Sequence, residues 1–125
     1  MKAAIWVPDR GEIIFIQHSP AAGNEMPNWH PMLVATTRAF AQKTGFVMGF
    51  AMTHSDLHAD NPFALVIPDS KPAAYVVANQ FKTFNWKARS AKTHKLGGGH
   101  HDLLKEALAI LDDICGISAA KITGG

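Results

Sequence analysis

Ala78-Asn79-Gln80-Phe81-Lys82-Thr83-Phe84-Asn85-Trp86-Lys87-Ala88-Arg89-Ser90-Ala91 is the most informative stretch of this 125-residue chain for its fold. It continues the run Tyr75-Val76-Val77-Ala78, whose β-branched residues after a turn-rich segment predict a strand. It then mixes the amides Asn79 and Gln80, the cations Lys82, Lys87 and Arg89, and the rings of Phe84 and Trp86.

Working upstream, strand signals dominate. Phe63-Ala64-Leu65-Val66-Ile67 is separated from Tyr75 by the turn residues Pro68-Asp69-Ser70-Lys71-Pro72. Residues 54–62 form a polar loop, and the nearly wholly apolar 45–53 predicts a longer strand before it. Met32-Leu33-Val34-Ala35-Thr36-Thr37 predicts another, with residues 38–44 open between a turn and a short helix. Residues 12–17 read as a buried strand behind the breaker Pro8-Asp9-Arg10-Gly11. Downstream the period changes. From Asp102 to Cys115, Leu104, Leu108, Leu111 and Cys115 share one stripe, widened by Leu103, Ala107 and Ile114, and Cys115 is expected in the core. Gly116 stands where a helix C-cap glycine belongs. Many short strands followed by one helix suggest a small closed or half-open barrel.

Composition narrows the class. The length suits one domain, and 47% hydrophobic with 18% charged residues is globular rather than disordered. A formal charge of +2 permits a nucleic-acid partner without arguing for one. The single cysteine excludes an intrachain disulfide framework and fits a reducing cytoplasm. No apolar run is long enough to span a bilayer, and the N-terminus does not read as a secretory signal. The oddity is seven histidines, which titrate near physiological pH and do acid–base chemistry.

Four segments together resemble the MazF/PemK (Kid, ChpB) toxin family. Val7-Pro8-Asp9-Arg10-Gly11-Glu12-Ile13-Ile14-Phe15-Ile16 is similar to its opening PDxGDIxWV strand. Pro20-Ala21-Ala22-Gly23-Asn24-Glu25-Met26-Pro27-Asn28-Trp29-His30-Pro31 is similar to its DPxxGxEQxxxRP loop. Ala51-Met52-Thr53-His54-Ser55 stands at the place of its P-I-T-S/T, followed by Asn61-Pro62-Phe63. The opening stretch, residues 78–91, resembles ADQVKxxDWRARxA. Order and spacing hold over roughly residues 5–116, and the last segment is the most specific.

The resemblance implies an SH3-like β-barrel of the MazF/CcdB toxin type. That is one mainly β domain over 1–116, with a C-terminal helix at 101–115 and a loose tail at 117–125. It also implies a homodimer, an antitoxin partner and cleavage of single-stranded RNA without metal or cofactor. In that reaction the substrate's 2′-hydroxyl attacks the adjacent phosphate, leaving a 2′,3′-cyclic phosphate and a 5′-hydroxyl.

Such chemistry needs a base, an acid and a stabiliser of phosphorane charge. The positions matching the family's arginine and threonine are His30 and Thr53. His30 trades a fixed charge and bidentate phosphate grip for a pH-dependent proton shuttle. Its other reading is a loop residue of a decayed site. Thr53 can meet a phosphate oxygen, or simply suit a strand. Asn79 replaces the usual aspartate, and an amide can only hydrogen-bond. Glu25, matching the glutamate of GxEQ, can orient His30 or act as base, or be an exposed loop carboxylate. His54, Ser55 and Gln80 are candidate RNA donors, as are Lys82, Lys87 and Arg89 for phosphates, against a solvated basic face. Trp29, Phe84 and Trp86 can stack on bases or fill the core.

Three competing readings remain. His54-x-x-x-His58 with Asp56 and Asp60, and His100-His101-Asp102, suggest metal sites, but neither supplies a placed third ligand. A gyrase-binding toxin shares the fold. A non-catalytic RNA- or antitoxin-binding relic would account for His30 and Asn79.

Overall fold

Ile13, Ile14 and Ile16 are apolar without alternation because β1 (Ile13–Gln17) is covered on both faces. Ile13 packs with Leu33, Phe50 and Leu104, whereas Ile14 and Ile16 pack with Met32, Val34 and Phe84. The computed structural model describes residues 5–116. After β1 come β2 (Trp29–Val34), α1 (Arg38–Thr44), β3 (Phe46–Thr53), a 3-10 turn (Asp56–His58), β4 (Ala64–Val66), β5 (Tyr75–Asn85), β6 (Lys92–Thr93) and α2 (His101–Cys115). The strands form one antiparallel sheet in the order β4-β5-β3-β2-β1-β6. It is barrel-like but is not closed by pairing of β4 with β6. This is the predicted mainly β fold with a C-terminal helix. The predicted tail at 117–125 lies outside the described residues.

Local chemistry explains where elements stop. Thr37 caps α1 by accepting from the Phe40 N–H, and Gly45 closes it in the left-handed conformation at φ 79°. That settles residues 38–44 as a helix. The cap also shortens the predicted 32–37 strand, since Thr36 and Thr37 are already leaving the ladder. At its front, β2 begins earlier than predicted, because Trp29 and His30 pair with Gln17 and Ile16. Pro31, without an N–H, sits where β2 pairs with β1 alone.

The largest departure is in β5. The apolar run ends at Ala78, yet the strand continues to Asn85. Phe81 pairs with Phe50 but Val77 with Ala51, so residues 78–80 bulge out without partners in β3. Opposite Lys82 stands Gly49, where an added Cβ would strike the Leu33 carbonyl, so β2 and β3 approach closely there.

Helix α2 lays Leu104 and Ala107 on one sheet face, with Leu103, Leu108 and Leu111 at the edges of the contact. Burying a leucine such as Leu104 is worth roughly 2–3 kcal/mol. Cys115, expected in this core, is exposed, as is Ile114, because the last turn of the helix lies beyond that packing.

Candidate active site

From the last residue of its bulge onward, β5 presents Gln80, Lys82 and Phe84 in the two-residue rhythm of a strand. All three meet residues 18–28, the loop between β1 and β2. Gln80 Oε1 accepts from the Met26 N–H at 3.1 Å, and its Nε2 donates to the Asn24 carbonyl at 3.5 Å. Lys82 Nζ lies 3.6 Å from Glu25 Oε2. The Phe84 ring meets the His18 ring edge-on at 5.0 Å. Glu25 Oε1 also accepts from the Ala22 N–H at 2.8 Å. That bond first, and the Lys82 charge second, hold the carboxyl below the usual range, so Glu25 is an anion at neutral pH.

His30 enters this cluster from β2. Its pairing with Ile16 sets it on the Ile14–Ile16 face, and its ring meets that of His18 at 5.8 Å and 75°. The β2–β3 register, which pairs Met32 with Ala51, would bring Thr53 level with His30 if continued by two residues. Thr53 is buried, and its Oγ1 accepts from the Ser55 N–H at 3.1 Å.

His18 is the member that sequence reasoning missed. It is 2% exposed, and its Nδ1 donates to the Ile16 carbonyl at 3.0 Å. Burial pushes its pKa down to about 4. The Ile16 carbonyl works the other way, while positive charge at His30, Lys82 and Arg89 adds to the depression. At neutral pH His18 is therefore uncharged, with its lone pair on Nε2. His18 follows Ile14 and Ile16 in the same two-residue rhythm just past the end of β1, so a histidine in a position reserved for core residues was the available signal.

The chain matches the PemK-like, MazF-like toxins of type II toxin–antitoxin systems over residues 9–114. It belongs to that family. The endoribonuclease toxin MazF of Escherichia coli (strain K12) is 28% identical over 86 residues, which is 69% of this chain and 76% of that protein. The crystal structure of MazF (Form-I) from Deinococcus radiodurans has a TM-score of 0.79 at 26% identity, covering 90% of this chain and 99% of that one. A MazE–MazF complex (Form-III) from the same organism gives 0.72 at 25% identity, covering 89% and 98%.

In this PemK/MazF-type chain Gln80 and Lys82 meet the loop that carries Glu25, and His30 joins them through His18; the remaining candidates take other places. Asn79 is on the bulge, accepting from Asn61 Nδ2 at 3.2 Å. His54 turns to the Ala73 carbonyl and, with His94, lines a separate cleft of about 430 Å³. Ser55 accepts from the Leu57 N–H and caps the 3-10 turn. Arg89 Nη1 donates to the carbonyls of Gln17 and Ser19, and its guanidinium lies 4.3 Å from the Phe84 ring centre. It thus clamps both neighbours of His18. Trp86 is buried and donates to the Ala41 carbonyl, and Phe84 is buried too. Trp29 is half-exposed, stacked on Phe15 at 5.4 Å. Lys87 is exposed. Among the described residues no three His, Cys, Asp or Glu side chains form a metal-ligand group.

Proposed function

We propose that this toxin-family chain is an endoribonuclease that cuts single-stranded RNA by 2′-hydroxyl attack, without a metal ion. The observation carrying this reading is that His18 links His30, whose ring it meets, to Lys82, whose charge acts on it and which pairs with Glu25. His30 takes the proton from the 2′-hydroxyl, and the 2′-oxygen forms its bond to phosphorus as the bond to the 5′-oxygen breaks. The leaving 5′-oxygen takes up a proton, from the protonated imidazole or from water. Lys82 faces the charge that develops on the phosphorane, and Thr53 adds a hydroxyl at the same level of the sheet. Glu25 holds Lys82 in place. Gln80 and the exposed Lys87 are assigned to contacts with RNA, Gln80 through the part of its amide left free by the loop. The products are a 2′,3′-cyclic phosphate and a 5′-hydroxyl.

The experiment is incubation of the pure protein with mixed-sequence single-stranded RNA in EDTA, followed by end mapping. Cleavage with 5′-hydroxyl ends is expected. Strict metal dependence or 5′-phosphate ends would contradict the reading.

We assign the chain a cognate antitoxin as partner, because the Deinococcus radiodurans relative was solved as a MazE–MazF complex. A cytoplasmic location is consistent with its single, unpaired cysteine. No described helix is long and apolar enough to cross a membrane. The working unit is a homodimer. Exposed Ile5, Phe46, Leu57, Phe63 and Val66 supply apolar surface for one. Light scattering at micromolar concentration should give twice the 13.5 kDa chain mass, and a clean monomer would contradict it.

A further inference from the structure

Two imidazole nitrogens stand out among the described residues. His18 Nε2 and His30 Nδ1 are both buried, and neither has a hydrogen-bond partner within the protein. They belong to rings in edge contact, 5.8 Å between centres. A buried polar atom without a partner is costly, so two in adjacent side chains call for an explanation.

The tautomers supply one. The Ile16 carbonyl can only accept, so neutral His18 carries its proton on Nδ1 and offers a lone pair at Nε2. His30 is only partly buried, and its other nitrogen, Nε2, is the accessible one. We propose that His18 is a positioning residue for His30: its Nε2 accepts the His30 Nδ1–H, leaving the His30 Nε2 lone pair facing the RNA as the base. The two nitrogens are not bonded in this structure, but both project from rings already in contact. A side-chain rotation of His30 would close the pair in the free protein.

The surroundings suit a neutral acceptor. The charged or titratable groups acting on His18 are His30 from β2, Lys82 from β5 and Arg89 from the turn beyond it. All are cationic or become so on protonation, and all oppose a second positive charge on His18. Arg89 also fixes the backbone on either side of His18 through the Gln17 and Ser19 carbonyls. His18 therefore stays neutral while His30 gains and loses its proton.

This inference rests on the ribonuclease reading, so its test has one arm that needs no cleavage. The variants are His18→Phe, which keeps a ring in the pocket, and His18→Gln, whose amide can still accept near the Nε2 position. In the first arm, nitrogen-detected NMR of the imidazoles is read across pH in the parent and in His18→Phe. His30 in the parent should hold its proton on Nδ1 when neutral, and His18→Phe should shift the tautomer balance and the His30 titration. An unchanged His30 tautomer and titration would overturn the proposal even if the protein proves to be no nuclease. In the second arm, His18→Phe should cleave about 10–100-fold more slowly, the usual effect of removing a group that orients a functional histidine. It should still bind a 2′-deoxy RNA analogue within a fewfold, with an altered pH–rate profile, and His18→Gln should recover part of the rate. Parent-like rates and profile in a folded His18→Phe protein would likewise overturn it.

Discussion

His30→Ala should lose at least about a hundredfold in RNA cleavage rate while retaining binding of a non-cleavable single strand. A positioned acid–base group typically contributes about 10²–10⁴-fold. His30 is the titratable side chain of the cluster that is both accessible and free of a fixed hydrogen bond. Glu25 is committed to the Ala22 N–H and to Lys82, which hold its proton affinity low, and His18 is deeply buried. His30→Arg restores the family's residue. It should keep phosphate binding and flatten the pH dependence near neutrality, because arginine does not titrate there. The measurement is single-turnover cleavage across pH with all three proteins. An alanine variant within a fewfold of the parent would make His30 a bystander and move the catalytic role to Thr53 and Glu25.

The second large effect is on stability. His18 titrates at about 4 in the folded chain against an ordinary 6.5. Between those values the unfolded chain binds a proton that the folded chain does not, so stability falls as pH falls through that window. The gap corresponds to about 3 kcal/mol when fully developed, most of it lost between pH 7 and pH 4.5. Urea unfolding of the parent and of His18→Phe at both pH values tests it, since the carboxylates and the histidines other than His18 and His30 are common to both. The parent should lose roughly 2 kcal/mol more than His18→Phe on acidification. Equal losses would show that His18 protonates freely in the folded protein.

These two histidines mark how far residues alone reveal such a site. Helix α2 was legible because its apolar residues recur at helical period against one face of the sheet, although its last turn lies beyond the packing that the stripe implied. Strands β1 and β3 were legible as apolar runs between turn residues. The second half of β5 was not, because Gln80, Lys82 and Thr83 break the apolar run, the first two to meet the loop at 18–28. Periodicity cannot distinguish such a strand from a loop. His30 and Glu25 came from motif position, and the structure brings their surroundings together. His18 stayed hidden because it lies in no motif, only on the buried alternation that continues just past β1. Trp86 and Arg89 show the converse. Both lie in the most specific segment, yet one fills the core and the other clamps the end of β1. A motif preserves what holds a site in place together with what acts in it.

In this mechanism the substrate's own 2′-hydroxyl is the nucleophile, activated at His30. Once a cleavage position is mapped, an RNA with a single 2′-deoxy nucleotide on the 5′ side of that bond tests it directly. This strand should bind as the all-ribose strand does and stay intact, in EDTA and at every pH where the parent substrate is cut. Cleavage of the deoxy-substituted bond would contradict it.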